Sequence, residues 1–581
     1  MLRTFTKCIR EYKKSTLLTF IFIVGEAIIE TLIPFLTANL VNDIKAGCEM
    51  ATILRTGGML VIMAAASLCC GGIAGLTCAK ASAGFAKNLR SDIFDKIQSF
   101  AFSNIDKFSS ASLVTRMTTD VTNVQFAFMM IIRTAIRSPL MLVFSIVMAY
   151  YMGGSLATSF VVIVPVLAMG LIIIGRKALP AFHSVFRKYD RLNESVEENV
   201  RGIRVVKGFS REEYEKQKFN KASTDICKDF TKAERIVALN RPLMQLCVYG
   251  NMVFVLIVGS RLAITGKGAA IDVGQLSAML TYGVQILMSL MMLSMIYVVI
   301  TMSTESMKRI REVLTEESEL ENPENPVMEV KDGSIEFENV NFKYSKKAKK
   351  YALSDVNVSI KSGMTVGIIG STGSGKTTLV QLIPRLYDIT TGSLKVGGVE
   401  VKNYDLDTLR SNVAMVLQKN ELFSGTIAEN LRWGNANATD SELIEACKLA
   451  QADEFVESFP DKYDTKIEQG GTNVSGGQKQ RLCIARALLR KPKIIILDDS
   501  TSAVDTKTDA LIRDGFKRFI PETTKIIIAQ RISSVQDADL ILVMDNGKIA
   551  DMGTHKELMK SSEIYRDVYT QQVGGGDSDE E

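Results

Sequence analysis

Six apolar stretches constrain this chain more than any other feature it has. They run at about 16–40, 57–79, 124–151, 155–179, 241–265 and 274–302, and each reaches the roughly 20 residues that a helix needs to cross a bilayer core. Short loops join the first to the second, the third to the fourth and the fifth to the sixth, while long polar stretches, about 80–123 and 180–240, follow the second and the fourth. The 47% hydrophobic and 23% charged content of the 581 residues therefore averages two regimes, an apolar first half and a second half like a soluble α/β protein.

Basic residues set the expected orientation. Arg3, Lys7, Arg10, Lys13 and Lys14 crowd the N-terminus, the long stretches are also basic, and the short loops carry few such residues. Both termini and both long loops are predicted to be cytosolic. The first apolar run is too long for a signal peptide and lacks a small-residue cleavage site, so it reads as a retained helix. The long loops keep helical apolar spacing, as in AKNLRSDIFDKIQSF, and continue the spans beyond the membrane. A net charge of +5 is small for this length and does not argue for nucleic acid. The nine cysteines are scattered without a CxxC pair, which points to neither a disulfide framework nor a zinc site.

An acidic linker with Pro323 and Pro326 is expected over 316–330, between a membrane part at 1–315 and a nucleotide-binding part at 331–570, with a disordered acidic tail at 571–581. Within the second part, MTVGIIGSTGSGKTTLVQLIPRLY reads as strand, glycine loop and helix. Gly370, Ser371, Thr372, Gly373, Ser374, Gly375, Lys376, Thr377 and Thr378 form a P-loop. Glycines let the backbone amides curl around phosphate, Lys376 reaches the outer phosphates, and the Thr377 hydroxyl suits Mg²⁺. Downstream, the apolar run Ile494 to Leu497 ends in Asp498, where a second oxygen ligand for Mg²⁺ belongs.

Between these two motifs stands NVSGGQKQRLCIARALL, whose Ser475, Gly476, Gly477 and Gln478 resemble the signature of the ABC transporter family. The resemblance extends over nearly the whole chain, to a type IV exporter half-transporter: a membrane α-helical domain fused to an α/β P-loop domain. It implies that Tyr344 stacks on adenine, that Gln418 is the Q-loop glutamine near Mg²⁺, and that Asp505 belongs to the D-loop. It also implies an ATPase that works as a dimer, each signature closing on the other chain's ATP, with coupling helices at 109–125 and 202–215, where Arg116, Asp120, Lys207 and Arg211 are candidates.

Two positions depart from the family. Its catalytic glutamate is Asp499 here, and its switch histidine is Gln530. Aspartate is one methylene shorter, and glutamine donates a hydrogen bond but never becomes cationic. With the signature intact, the combination resembles the degenerate-site subunit of heterodimeric bacterial multidrug-type exporters. The expected partner is a second half-transporter that carries the glutamate and the histidine, in a bacterial cytoplasmic membrane. A slow homodimer, an ATP-gated regulator or channel, and a siderophore importer on the exporter fold remain open. For cargo, Glu26 and Glu30 share one face of the first span, where they would attract cations or pair with Arg133 or Arg137. Met288, Met292 and Met295, with Met279 and Met291, suit adaptable contact with a hydrophobic or amphipathic molecule, and equally suit a packed core.

Overall fold

The computed structural model describes residues 2–265, 271–345, 348–499 and 504–574. Its contacts divide the chain into two units: Met1–Ser99 with Ser109–Glu316, and Phe100–Phe108 with Glu317–Glu581.

The first unit is built from long helices: α1 (Lys13–Lys45), α2 (Met50–Gln98), α3 (Val121–Gly153), α4 (Thr158–Arg201), α5 (Glu212–Ala238), α6 (Asn240–Thr265) and α7 (Val273–Thr315). Helices satisfy their own backbone groups, which lipid cannot do. The 49 residues of α2 make a helix of roughly 70 Å at 1.5 Å per residue, more than twice a bilayer core. Among the described residues, five helical stretches are long and apolar enough to cross a membrane: Arg10–Lys45, Met50–Gln98, Ser110–Phe182, Glu212–Thr265 and Val273–Thr315. The sequence predicted six spans, and its third and fourth both fall within Ser110–Phe182. That stretch is interrupted where α3 ends at Gly153 and Gly154 takes φ 50°, followed by a single 3-10 turn, Gly154–Ala157, before α4.

Two acids of the first long helix meet an arginine inside this unit. Glu26 and Glu30 are not free acids: they share the Arg137 guanidinium, with Nη2 2.6 Å from Glu30 Oε2 and Nε 3.4 Å from Glu26 Oε1. Ser145 Oγ donates to Gln285 Oε1 at 3.1 Å beside them, joining α3 to α7. On α7, Met279 is fully buried, whereas Met288, Met292 and Met295 are exposed in the single chain.

The segment 109–125, expected as the first coupling helix, lies in this unit. Arg116–Asp120 forms a π-turn, and Asp120 is fully buried. Its carboxylate accepts from Arg309 Nε at 2.8 Å, Arg309 Nη2 at 2.5 Å and Ser306 Oγ at 2.8 Å, while Arg116 Nη1 donates to Arg309 O at 2.6 Å. These bonds bind the start of α3 to the end of α7. The second expected coupling segment holds a short helix, Ile203–Gly208, with Val205 and Phe209 exposed.

Two larger sheets, beside a two-stranded ribbon of Gly425–Thr426 with Lys466–Ile467, build the described part of the nucleotide unit. The antiparallel one runs in the order β2-β1-β4-β5, from β1 (Ile335–Phe342), β2 (Leu353–Ile360), β4 (Thr391–Val396) and β5 (Val399–Glu400). The other runs β10-β9-β3-β8-β7-β6, from β3 (Thr365–Gly370), β6 (Val413–Val416), β7 (Ile494–Asp498), β8 (Thr524–Ile528), β9 (Leu540–Asp545) and β10 (Lys548–Gly553). In this sheet only β10 is antiparallel to its neighbour. Parallel strands covered on both faces read as unbroken apolar runs, which is why Ile494–Asp498 and Thr524–Ile528 are buried throughout.

The chain differs from its expected boundaries in three places. Phe100–Phe108, predicted within the membrane part, packs in the nucleotide unit: Tyr387 OH donates to Asp106 Oδ2 at 2.7 Å, and Asn104 Nδ2 donates to Glu317 O at 3.1 Å. The linker 316–330 is anchored, because Leu320 and Val330 are buried and Val327 bridges to Tyr404. A helix over Glu563–Gly574 runs into the expected tail, whose residues 575–581 lie outside those described.

Candidate functional site

Ligands of open parallel sheets bind beyond the carboxyl ends of the strands. Here four adjacent strands deliver the candidate residues to one such edge. β3 ends in the P-loop at Gly370, β8 leads two residues on to Gln530, β7 ends in Asp498 and leads to Asp499, and β6 leads to Gln418. Thr377 and Asp498, 121 positions apart, meet because β3, β8, β7 and β6 are neighbours.

The P-loop geometry follows from its glycines. Gly370, Gly373 and Gly375 take φ of 151°, 83° and 98°, a region that side chains disfavour. A Cβ on Gly370 would lie 2.2 Å from Met544 O. Lys376 opens α8 (Lys376–Leu382), and its Nζ donates to Gly370 O and Ser371 O, each at 2.8 Å. The ammonium is thus held across the loop's own mouth. Burial lowers the Lys376 pKa, an effect opposed by Asp498 and Asp499. Ser374 Oγ is buried with no hydrogen-bond partner, a hydroxyl that a phosphate oxygen would satisfy.

Thr377 Oγ1 donates to Asp498 Oδ1 at 3.2 Å. A hydroxyl and one carboxylate are hard oxygen donors of the kind Mg²⁺ takes when phosphates and water complete its shell, so these residues fit the ion. Among the described residues no group of three or more His, Cys, Asp or Glu side chains gathers as a self-sufficient metal site. Burial raises the Asp498 pKa, and the Thr377 bond opposes it.

Asp499 turns back after the strand. Its φ is 50°, a left-handed conformation that aspartate tolerates better than most residues. Its Oδ2 accepts from Gln530 Nε2 at 2.7 Å and lies 3.5 Å from Gln418 Nε2. The two departures from the family pattern therefore touch one another. Burial raises the Asp499 pKa, while both amides and Lys376 pull the other way. Gln418 faces Asp499 here; among the described contacts it has none with Asp498 or Thr377.

Tyr344 OH is 2.9 Å from Thr378 Oγ1, and its ring meets Tyr387 edge-on with centroids 5.2 Å apart. Tyr387 in turn holds Asp106, and its pKa is pushed up by burial first and then by that carboxylate. Tyr344, Gly373, Gly375, Lys376, Thr377 and Thr378 line a cavity of about 450 Å³.

The signature serine is the N-cap of α9 (Gly476–Leu488). Ser475 Oγ accepts from Gln478 N–H, and Gln478 Oε1 accepts from Ser475 N–H at 2.9 Å. Ser475 and Gly476 are exposed, at the positive end of a 13-residue helix. Asp505 caps α10 (Thr506–Phe519), accepting from Thr508 N–H at 2.9 Å, a bond that lowers its pKa. Residues 500–503 of the surrounding loop lie outside the described residues.

Sequence reasoning missed Tyr351 and Asn546 on the cavity wall and Gln572 behind the switch position. Gln572 Nε2 donates to Gln530 O, and its Oε1 accepts from Ile532 N–H, both at 2.8 Å. Tyr351 stands in no motif, two residues before β2. Gln572 had none, lying where a disordered tail was expected.

The comparisons agree with this architecture. The ABC transporter transmembrane region family matches residues 16–318, and the ABC transporter family matches residues 353–502. An uncharacterized ABC transporter ATP-binding protein, YfiB, of Bacillus subtilis (strain 168) is 34% identical over 554 residues, covering 95% of this chain and 96% of the relative. A fatty acid ABC transporter ATP-binding/permease protein of Mycobacterium bovis is 33% identical, covering 82% and 75%. A solved structure of a bacterial Atm1-family ABC exporter with ATP bound shares the fold, with a TM-score of 0.84 at 22% identity, covering 97% of this chain and 99% of that one. With matched membrane and ATP-binding halves and a relative aligned over almost its full length, this chain belongs to the ABC transporter family and is a transport ATPase.

Proposed function

We propose that this chain is one subunit of a heterodimeric exporter, that its own P-loop site binds Mg·ATP but cleaves it poorly, and that its signature serves the partner's site. The observation that carries this is the Asp499–Gln530 contact, 2.7 Å between Oδ2 and Nε2. A general base must reach the attacking water. The shorter Asp499 points one oxygen at a neutral amide instead, and Gln530 cannot supply positive charge to the transferring phosphate. Mg²⁺, held by Thr377 and Asp498, would neutralise charge on the phosphates. Lys376 would grip them, and Ser475, Gly477 and Gln478 would present α9's N-terminus to the other chain's ATP. Gln418 would stand near the ion, beside Asp499.

In this reading Ser110–Phe182 crosses the membrane twice, reversing at Gly154, which makes six spans and leaves both termini cytosolic in a bacterial inner membrane. A single crossing by 73 residues would need a helix of roughly 110 Å. The cargo is hydrophobic or amphipathic. Met288, Met292 and Met295 offer adaptable apolar contact, and the name of the mycobacterial relative fits an amphipathic acid. Because Arg137 engages Glu26 and Glu30, the first span is no simple cation trap.

The test is ATP turnover by this chain purified alone and then assembled with its partner. Turnover should be slow alone and brisk in the pair, and Asp499→Ala should leave at least about half of the pair's activity. Brisk hydrolysis by the chain alone would instead make it a homodimer with two working sites.

A further inference from the structure

Tyr351 shares the cavity with Tyr344, Lys376 and Thr377, although no sequence motif draws attention to it. It is 44% exposed, and Lys343 Nζ lies 4.2 Å from its ring centroid. Tyr344 is a fixed wall. Its hydroxyl is bound to Thr378, and its ring is flanked edge-on by Phe342 and Tyr387 at 4.9 and 5.2 Å. Tyr351 stands two residues before β2, and its neighbour Ala352 is tied to β1 through its N–H to Phe342 O at 2.8 Å. Both aromatics are thus carried on the same antiparallel sheet beside the P-loop.

We propose that Tyr351 is a second base-stacking residue, so that the nucleobase is bound by two aromatic walls, with Lys343 backing the second. This rests on reading the P-loop cavity as a nucleotide site. A cation over one face of a ring is attracted to its π-cloud and holds the ring in place, while the ring surface left to the cavity is free for an aromatic ligand. Stacking on aromatic side chains is sequence-tolerant and strong enough to dominate base binding. It follows that this site distinguishes nucleotides from bare polyphosphates more sharply than one aromatic alone would allow, in keeping with a site that retains ATP.

The experiment compares ATP with inorganic tripolyphosphate, which carries the phosphates but no base, binding to the full-length chain in detergent with Mg²⁺. Tyr351→Ala should weaken ATP binding about tenfold and leave tripolyphosphate within about twofold. Tyr351→Phe should bind ATP as the wild type does, and Lys343→Ala should lose about threefold for ATP. Unchanged ATP affinity in Tyr351→Ala would overturn the proposal. So would an equal loss for both ligands, which would make Tyr351 a support for the P-loop. A wild-type chain that binds neither ligand would overturn the nucleotide reading itself, a pattern that loss of Tyr351 stacking cannot produce.

Discussion

On the phosphate side of the cavity, Lys376, Thr377 and Asp498 stand where the family pattern places them, and Thr377 already touches Asp498 at 3.2 Å. On the water side, Asp499 and Gln530 both differ from that pattern, and they bond to each other. The two sides use the same strand edge and are separated by one peptide bond, between Asp498 and Asp499. Gripping a polyphosphate needs amides, an ammonium and a metal, none of which depends on the exact reach of a carboxylate. Cutting it requires a base aimed at one water molecule, and misplacement by about 1 Å costs on the order of a hundredfold. One side can therefore lose its task while the other keeps its own.

The comparison breaks most visibly if the cutting side is rebuilt. Asp499→Glu combined with Gln530→His should raise ATP turnover of the isolated chain about a hundredfold, measured as phosphate release with Mg²⁺. No gain would mean that these two side chains do not limit turnover. The gripping side is tested by Lys376→Ala, which should weaken ATP binding by about thirtyfold, the worth of charge-assisted bonds to phosphate, as read by equilibrium titration. A smaller effect belongs to the support behind Gln530. Gln572→Ala removes two bonds to the backbone around residues 530–532 and should speed hydrogen exchange at the Ile532 amide about fivefold, with ATP affinity unchanged.

Much of the molecule was legible from sequence because its signals are local. Apolar length marked the membrane helices, and the P-loop spacing marked the phosphate site. The Ser475–Gln478 pair, read as a family signature, is also a capping box whose physics is local to one helical turn. Long-range packing was less legible. Phe100–Phe108, read within the membrane part, is held in the nucleotide unit, where Asp106 is bound by Tyr387, 281 residues after it. Asp120 looked like a docking residue but is buried against Arg309, a pairing that no spacing rule connects. The four C-terminal residues of the last helix were read as tail because their composition is that of a chain end.

The sequence by itself determined that this chain is a membrane-spanning protein with an ATP-binding domain, since bilayer thickness and phosphate geometry each demand a contiguous pattern of residues. Only the tertiary structure decided that the two unusual residues face each other, that Arg137 is the arginine that meets both acids of the first span, and that Tyr351 joins the nucleotide cavity. These depend on which strands and helices become neighbours, and that is set by packing between segments far apart in the chain.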